Sequence, residues 1–398
     1  MSNSFIAKKD CCGCAACINI CPKHAISLTT DENGFSYPII DGSKCINCGL
    51  CKKVCSYKYK NINNNPIITY AGATLNNDII KKSSSGGIFG TIAYNFLKNG
   101  GIVYGCSLEN ENSCLSPQHI RVDNISDLYK LLGSKYVQSQ MGSIYLEIKN
   151  DLLNNKKVLF SGTPCQVHSL QSFLEETRVK TDNLFSVDLI CHGTPSTKMF
   201  QDYIIELEKR KHKRIKNIVF RDKEYSWGFL GTIVFEDNTK KNLYVTESSY
   251  YKFFLEFKIN RENCYSCKYA NKKRVGDITI GDYWGIDKMH PNYLKSNGGQ
   301  LDIRKGISCI IVNSKNGKEL LKKYGNDIIL LQSDFEKVSA NNRQLLYPVK
   351  VPKERNIILE EYKRNGYKGV IKTYKKMLGI KYYLYPIYHK IKELLSKR

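Results

Sequence analysis

Two runs of cysteine near the start of the chain have a spacing that implies chemistry by itself. The first is Cys11-x2-Cys14-x2-Cys17-x3-Cys21-Pro22, and the second is Cys45-x2-Cys48-x2-Cys51-x3-Cys55. Gaps of two residues let a tight loop wrap three thiolates round one 4Fe–4S cube. The fourth cysteine opens a helix that crosses to another cube. The spacing assigns Cys11, Cys14, Cys17 and Cys55 to one cluster, and Cys45, Cys48, Cys51 and Cys21 to the second.

Both runs resemble that of a bacterial two-cluster ferredoxin. Two departures stand out: Cys12 is an extra thiol beside a ligand, and Ser56 replaces the proline expected after Cys55. Neither removes a ligand. A pair of zinc sites or a disulfide framework is the rival reading, and eight cysteines in crossed spacing with Pro22 argue against it. The module is expected to relay electrons, or less often to be held together by its cubes.

The elements that position such groups belong to a chain of 398 residues, long enough for two or three units. Apolar residues make up 42% and charged residues 25%, which excludes a disordered or collagen-like chain. Of 16 cysteines, nine lie from Cys11 to Cys55. No run approaches the ~20 apolar residues of a membrane span, and no hydrophobic signal core precedes Lys8-Lys9-Asp10. A cytoplasmic, reducing location is expected, where dense cysteines bind metal more often than they pair.

Four spans are expected: 1–60, the two-cluster module; 66–150 and 151–345, an α/β core; and 346–398, a basic Tyr-rich helical tail. Asn61–Pro66 reads as a linker. Ile67–Thr74 is strand-like, Lys81–Gly87 a Ser/Gly loop, and Ile88, Ile92 and Phe96 share a helical face closed by Gly100-Gly101. Strands are expected at Ile102–Tyr104, Val158–Ser161 and Leu184–Ile190, with helices at Gln166–Leu174 and Lys198–Lys211. Alternation of this kind implies parallel pairing. Ile218–Phe220, Gly231–Phe235 and Leu243–Thr246 read as added antiparallel strands. The fold class is therefore α+β and α/β: a small ferredoxin-like module, then an α/β core with extra antiparallel strands. Pro386 is expected to break the tail helix.

Cys165 follows a strand and opens a helix, Cys191 ends the next strand, and Cys264-x2-Cys267 lies in a basic loop. Groups at the carboxyl ends of parallel strands can converge there. Taken singly these signals are weak, and Cys106, Cys114 and Cys309 read as structural.

Five motifs occur in order: Ser84-Ser85-Gly86-Gly87, Gly133–Gln138, Gly162-Thr163-Pro164-Cys165-Gln166, Cys191-His192-Gly193-x2-Ser196, and Gly276–Gly285. Over roughly 66–345 the chain resembles the beta-subunit family of coenzyme F420 (deazaflavin) hydrogenases and dehydrogenases, to which a ferredoxin module is commonly fused. The resemblance implies an iron–sulfur flavoprotein oxidoreductase with FAD beside a third 4Fe–4S cluster. Carried over, Cys165, Cys191, Cys264 and Cys267 become that cluster's candidate ligands, with a four-thiolate zinc site as the alternative.

Ser83–Gly87 precedes a helix, where hydroxyls, glycines and free N–H groups suit a FAD pyrophosphate; a plain N-cap is the bland reading. Ser84, Ser85, Gly86, Gly87, Lys135, Tyr136, Gly162, Thr163 and Asp282 are the candidate cofactor contacts. Lys135 is either a charge beside the flavin or a solvated lysine. His192 is either a proton donor or a hydrogen-bonding neighbour of Cys191, and Trp284 either lines the pocket or, on the blander reading, packs in the core. Lys135 and His192 are the catalytic candidates.

The net charge is +24, and 350–398 carries 14 Lys and Arg against 4 Asp and Glu. No nucleic-acid motif accompanies this charge, and none is expected to bind. The tail suits an anionic membrane surface. Expected partners are a redox protein or a small two-electron substrate, the deazaflavin coenzyme or an acceptor in a polysaccharide pathway. Rival functions are an electron-transfer subunit with no substrate of its own, and an RNA- or membrane-binding protein with structural clusters.

Overall fold

The computed structural model describes residues 6–395 apart from 61, 63, 112, 113 and 225. Asn61 and Asn63 of the expected linker, and 396–398 of the tail, lie outside the described residues.

Between the two cysteine runs, β1 (Ile26–Thr30) and β2 (Ser36–Ile40) form an antiparallel hairpin with Ile26 opposite Ile40. Cys17 and Cys51 sit on short helices, Ala16–Asn19 and Leu50–Lys53. The core then uses β3 (Ile68–Thr74), β4 (Ile102–Glu111), β5 (Cys114–Val122), β6 (Val158–Gly162) and β7 (Leu184–Leu189). A separate antiparallel sheet is made by β8 (Ile215–Val219), β9 (Gly231–Phe235) and β10 (Lys240–Leu243). With β11 (Ile278–Asp282), β12 (Ser308–Val312) and β13 (Ile328–Ser333), the large sheet runs β13-β3-β12-β11-β7-β6-β4-β5.

Its centre, β4, β6, β7 and β11, is parallel, and its flanks are antiparallel. Every residue of β6 is buried, as a strand covered on both faces must be, so Val158–Gly162 reads as an unbroken run. The helix Ile88–Lys98 buries Ile88, Ile92 and Phe96, four apart, on one face of the sheet. Pro164 at the first turn and a Thr163/Gln166 capping box start the Pro164–Glu176 helix, with Thr163 N donating to Gln166 Oε1 at 3.0 Å. Strands drawn from 66–150 and from 151–345 build this one sheet.

Three local expectations change. Lys81 and Lys82 close the helix Asn77–Lys82, capped by the Asn76 side chain, so the loop begins at Ser83. The strand expected at Leu243–Thr246 ends at Leu243, where β10 loses its partner and a 3-10 turn, Val245–Glu247, leads into Ser249–Leu255. Pro386 does not break its helix: as the sixth residue of Lys381–Leu395 it forfeits only the bond to the first-turn carbonyl of Tyr382. The breaks fall at Gly366 and Gly379, both at positive φ.

Arg355–Leu378 packs Ile358, Leu359, Tyr362, Tyr367, Val370 and Tyr374 against Thr197–Lys211 and Ser249–Leu255. Lys381–Leu395 buries nothing. Among the described residues no helix is long and apolar enough to cross a membrane.

Candidate functional site

In both N-terminal runs the backbone turns left-handed on either side of the middle cysteine, at Gly13 and Ala15 around Cys14, and at Asn47 and Gly49 around Cys48. This repeated turn coils each loop about a centre. Burial raises the Cys17 thiol well above its ordinary value, and the neighbouring thiols of Cys14, Cys11 and Cys55 push it the same way, with Cys51 next. Cys55 is pushed up to about 11 by burial and then by Cys14 and Cys11. Cys55 thus stands with the first run. Cys21, Cys45, Cys48 and Cys51 line a separate cavity of about 330 Å³, where Ala25 N donates to Cys21 Sγ at 3.3 Å.

The four later cysteines are also brought together. Burial lifts Cys191 far above its usual range, and Cys264, Cys165 and Cys267 add to it. Polar groups face their sulfurs: Thr163 Oγ1 lies 3.1 Å from Cys165 Sγ, and Gly193 N donates to Cys191 Sγ at 3.4 Å. Between the first run and this set stands Cys12, whose thiol is raised by hydrogen bonds to Cys14 and Cys165 and then by burial. Four thiolates brought together suit either a cube, which gives each its own iron, or a single zinc.

The module is clamped to the core by side chains. Arg261, three residues before Cys264 and 1% exposed, donates from Nε to the Cys11 carbonyl at 2.9 Å and from Nη1 to Gln138 Oε1 at 3.1 Å. Gln138 Nε2 in turn donates to the Cys12 carbonyl at 3.0 Å. Tyr57 OH donates to the carbonyls of Asn263 and Ser266 at 3.0 and 3.1 Å. Ser56, in the position of the expected proline, is buried with its hydroxyl 2.9 Å from Ser169 Oγ on the Pro164–Glu176 helix.

At the carboxyl edge of the parallel strands lies a cavity of about 640 Å³. Its wall includes Gly162 and Thr163 at the end of β6, Cys191 and His192 after β7, and Asp282 and Trp284 at the end of β11. Opposite are Ser84, Ser85, Gly87 and the first turn of Ile88–Lys98. Ser84 Oγ accepts from Ser134 N at 2.7 Å and from Ser134 Oγ at 2.8 Å, leaving its own proton to donate. Gly86 is set back from this wall, its N–H donating to Ser308 Oγ at 2.9 Å; a Cβ there would meet the Gly72 carbonyl at 2.4 Å.

Lys135 lines this cavity, half-buried, with Nζ donating to the carbonyls of Lys130 and Leu132 at 2.9 and 2.8 Å. Burial lowers it to about 8. His192 stacks on Phe257 at 3.7 Å between ring centroids, its Nε2 lies 3.1 Å from the Leu255 carbonyl, and burial holds it near 4. Tyr136 stacks on Phe254 at 4.4 Å.

Trp284 is not sealed in the core but stands in the cavity wall, stacked on Trp227 at 4.6 Å and 6°. Asp282 accepts from both terminal nitrogens of Arg221 at 2.9 and 3.2 Å, and from Trp227 Nε1 at 2.9 Å. The guanidinium lies over Phe229 and Trp284. Its buried Nε has no hydrogen-bond partner among the described residues. Arg221, Trp227, Phe229 and Arg261 escape sequence reasoning: each is a lone residue that only the tertiary fold brings to a site. Cys106, read as structural, also lines this cavity, whereas Cys309 is buried in the core.

Residues 155–337 match the family described as the carboxyl-terminal part of the coenzyme F420 hydrogenase/dehydrogenase beta subunit, and residues 10–59 match the 4Fe–4S dicluster domain. An uncharacterised ferredoxin of Methanocaldococcus jannaschii is 38% identical over 51 residues, 13% of this chain. The chain spans 65% of that curated relative's length. A chain from the F420-reducing nickel–iron hydrogenase complex of Methanosarcina barkeri, solved as a xenon derivative, aligns with 80% of this chain and 95% of its own, at 16% identity and a TM-score of 0.46. The recognition made from the motifs, a beta-subunit region behind a ferredoxin-type module, is borne out by the two family matches.

Proposed function

We propose that this chain, in which a coenzyme F420 hydrogenase/dehydrogenase beta-subunit region follows a two-cluster 4Fe–4S module, is an iron–sulfur flavoprotein oxidoreductase. The observation that carries this reading is an unbroken succession of thiols. Cys51, of the set around the smaller cavity, neighbours Cys17; Cys12 bridges Cys14 and Cys165; Cys165 neighbours Cys191, in the wall of the larger cavity. Cys11, Cys14, Cys17 and Cys55 would hold one cube, Cys21, Cys45, Cys48 and Cys51 a second, and Cys165, Cys191, Cys264 and Cys267 a third.

The larger cavity has the size of a cofactor site. Ser84 offers its hydroxyl proton, and the first turn of Ile88–Lys98 its N–H donors, to a FAD pyrophosphate, while the Ser85 hydroxyl donates to the Ile307 carbonyl at 3.0 Å. Lys135 and Arg221 supply positive charge, Arg221 with a spare N–H. Trp284 presents an aromatic face to a planar ring. When bound, the cubes supply single-electron steps and FAD gathers them into the pairs that an organic substrate needs. His192, neutral above about pH 4, positions Cys191 through its stacking and its backbone bond rather than carrying charge.

The test is composition under strict anaerobiosis. About twelve iron atoms and one FAD per chain are expected for three cubes; about eight iron with one zinc would assign Cys165, Cys191, Cys264 and Cys267 to zinc. Turnover of a small two-electron acceptor by the isolated chain, deazaflavin or a polysaccharide-pathway compound, separates an enzyme from a subunit that only feeds another protein.

A second reading concerns Lys381–Leu395. Tyr383, Leu384, Ile387, Tyr388, Ile391 and Leu394 are all more than half exposed at helical spacing, beside Lys381, Lys390 and Lys392. This pairing of apolar face and positive charge fits an anionic bilayer surface. Flotation of the full chain with phosphatidylglycerol vesicles should be lost in Ile387→Asp/Ile391→Asp; equal flotation of both would end this reading.

A further inference from the structure

The thiol succession has two ends of different character. One is the 640 Å³ cavity, large enough for an organic ligand and lined by polar and aromatic side chains. The other is the Cys21, Cys45, Cys48 and Cys51 set at the protein surface. Cys48 is the one exposed cysteine among all 16. The four thiols line the 330 Å³ space there together with loop residues such as Ile26 and Ile40, so a cube held by them would occupy that space itself. Electrons can enter or leave at this end only through the surface.

That surface has a distinct composition. Ile46, between Cys45 and Cys48, is 58% exposed. Beside it in the same loops stand Lys23, Lys44, Lys52 and Lys53, all exposed, with the Asp41 carboxylate 3.4 Å from Lys44. A small apolar centre inside a rim of one sign is the form of a transient protein contact, in which charge supplies encounter rate and orientation and the small dry area permits release.

We propose that this lysine-rimmed face is the docking site for an acidic one-electron carrier protein. The proposal rests on the cluster reading given above and extends it to the identity of the partner. The carrier exchanges one electron with the outermost cube, the carrier being oxidised as the cube is reduced or the reverse; no bond forms and no proton need move.

The experiment uses the full chain with its clusters in place, in stopped flow. The protein probe is a bacterial two-cluster ferredoxin of net negative charge, reduced beforehand. Dithionite-reduced methyl viologen, a small cation, is the second donor. In Lys23→Glu/Lys52→Glu the rate with ferredoxin should fall by about tenfold or more, the scale of electrostatic steering, and its decline with added salt should flatten. The viologen rate should not fall, which separates docking from damage to the adjacent cube. The control Lys372→Glu/Lys376→Glu makes the same charge change on exposed residues of the tail and should leave the ferredoxin rate within about twofold, since those lysines lie outside the docking rim.

Equal loss with both donors, an unchanged ferredoxin rate, or an equal effect of the tail control would overturn the docking proposal while leaving the cluster reading intact. Iron below about eight atoms per chain in the parent protein would instead overturn the cluster reading, and the docking site with it.

Discussion

The guanidinium of Arg261 reaches Cys11 across 250 positions of sequence, with Nη2 3.9 Å from the Cys11 sulfur and Nε bonded to its carbonyl. The same side chain lies over the Tyr37 ring at 4.3 Å and sits at the head of the loop carrying Cys264 and Cys267. One cation therefore fixes the spacing between two cysteine sets and stands beside the sulfur of one of them.

A reduced cube is more negative than an oxidised one, so a positive charge and a hydrogen bond at its ligand sulfur raise its potential. Arg261→Met should lower the midpoint potential of the cube at Cys11, Cys14, Cys17 and Cys55, and leave that at Cys21, Cys45, Cys48 and Cys51 in place. EPR-monitored potentiometry reads both. An Arg261→Lys chain, which keeps charge but loses the fork, should fall between parent and Met variant.

Ligand substitution tests the crossed assignment. Cys21→Ser should remove the same EPR signal as Cys48→Ser, and Cys55→Ser the same signal as Cys14→Ser. Each change should take iron from about twelve atoms to about eight per chain. If Cys21 instead grouped with Cys14, the runs would each hold their own cube.

The two N-terminal runs were legible because each is local: spacing of two and three residues fixes which thiols a loop can turn inward. The parallel strands were legible for a similar reason, as β6 and β7 are short apolar runs bounded by turns. Arg221 and Arg261 were not. Their partners, Asp282 and Cys11, are 61 and 250 positions away, and an isolated arginine has the same appearance in sequence whether solvated or buried. Trp284 was left between pocket wall and core, because no local signal distinguishes an indole under the sheet from one at its open edge. Ser56, which seemed a mere departure from the ferredoxin pattern, has a structural reason: its hydroxyl meets Ser169 where the module packs on the core.

Removing Asp282 leaves Arg221 buried and uncompensated, its side chain being 2% exposed and that of Asp282 17%. Asp282→Ala should cost about 3–5 kcal/mol of stability, measured by urea unfolding. Arg221→Met/Asp282→Ala should recover part of that loss, since no stranded charge remains. A single variant as stable as the parent would show that the pair is solvated in solution.

Gly86 tests the loop. A Cβ there would approach two backbone atoms, the Gly72 carbonyl oxygen at 2.4 Å and the Ser308 nitrogen at 2.8 Å, neither of which can swing aside. Gly86→Ala should therefore displace Ser84 and Ser85, costing about 1–3 kcal/mol and weakening FAD retention on a desalting column. Gly100→Ala, at a positive-φ glycine with open space around it, should leave FAD retention unchanged.

Lys135 gives the cavity a pH dependence with a defined sign. Burial lowers its ammonium to about 8, so the charge is present below that pH and lost above it. A pyrophosphate that needs the charge should bind about tenfold more weakly at pH 9 than at pH 7, in proportion to the fraction of charged lysine in the free protein. Two titratable groups packed near Lys135 do not change charge in that window: burial holds His119 near 4 and raises Cys106. Lys223, which donates to the Ser85 carbonyl, is lowered by burial and by Arg221 to about 7 and discharges first. Lys135→Arg keeps its charge throughout, so only the earlier step should remain, whereas Lys135→Met should bind weakly at every pH. The measurement is FAD fluorescence quenching on flavin-stripped protein between pH 6 and 9.5, and an unaltered upper step in Lys135→Arg would remove Lys135 from the binding site.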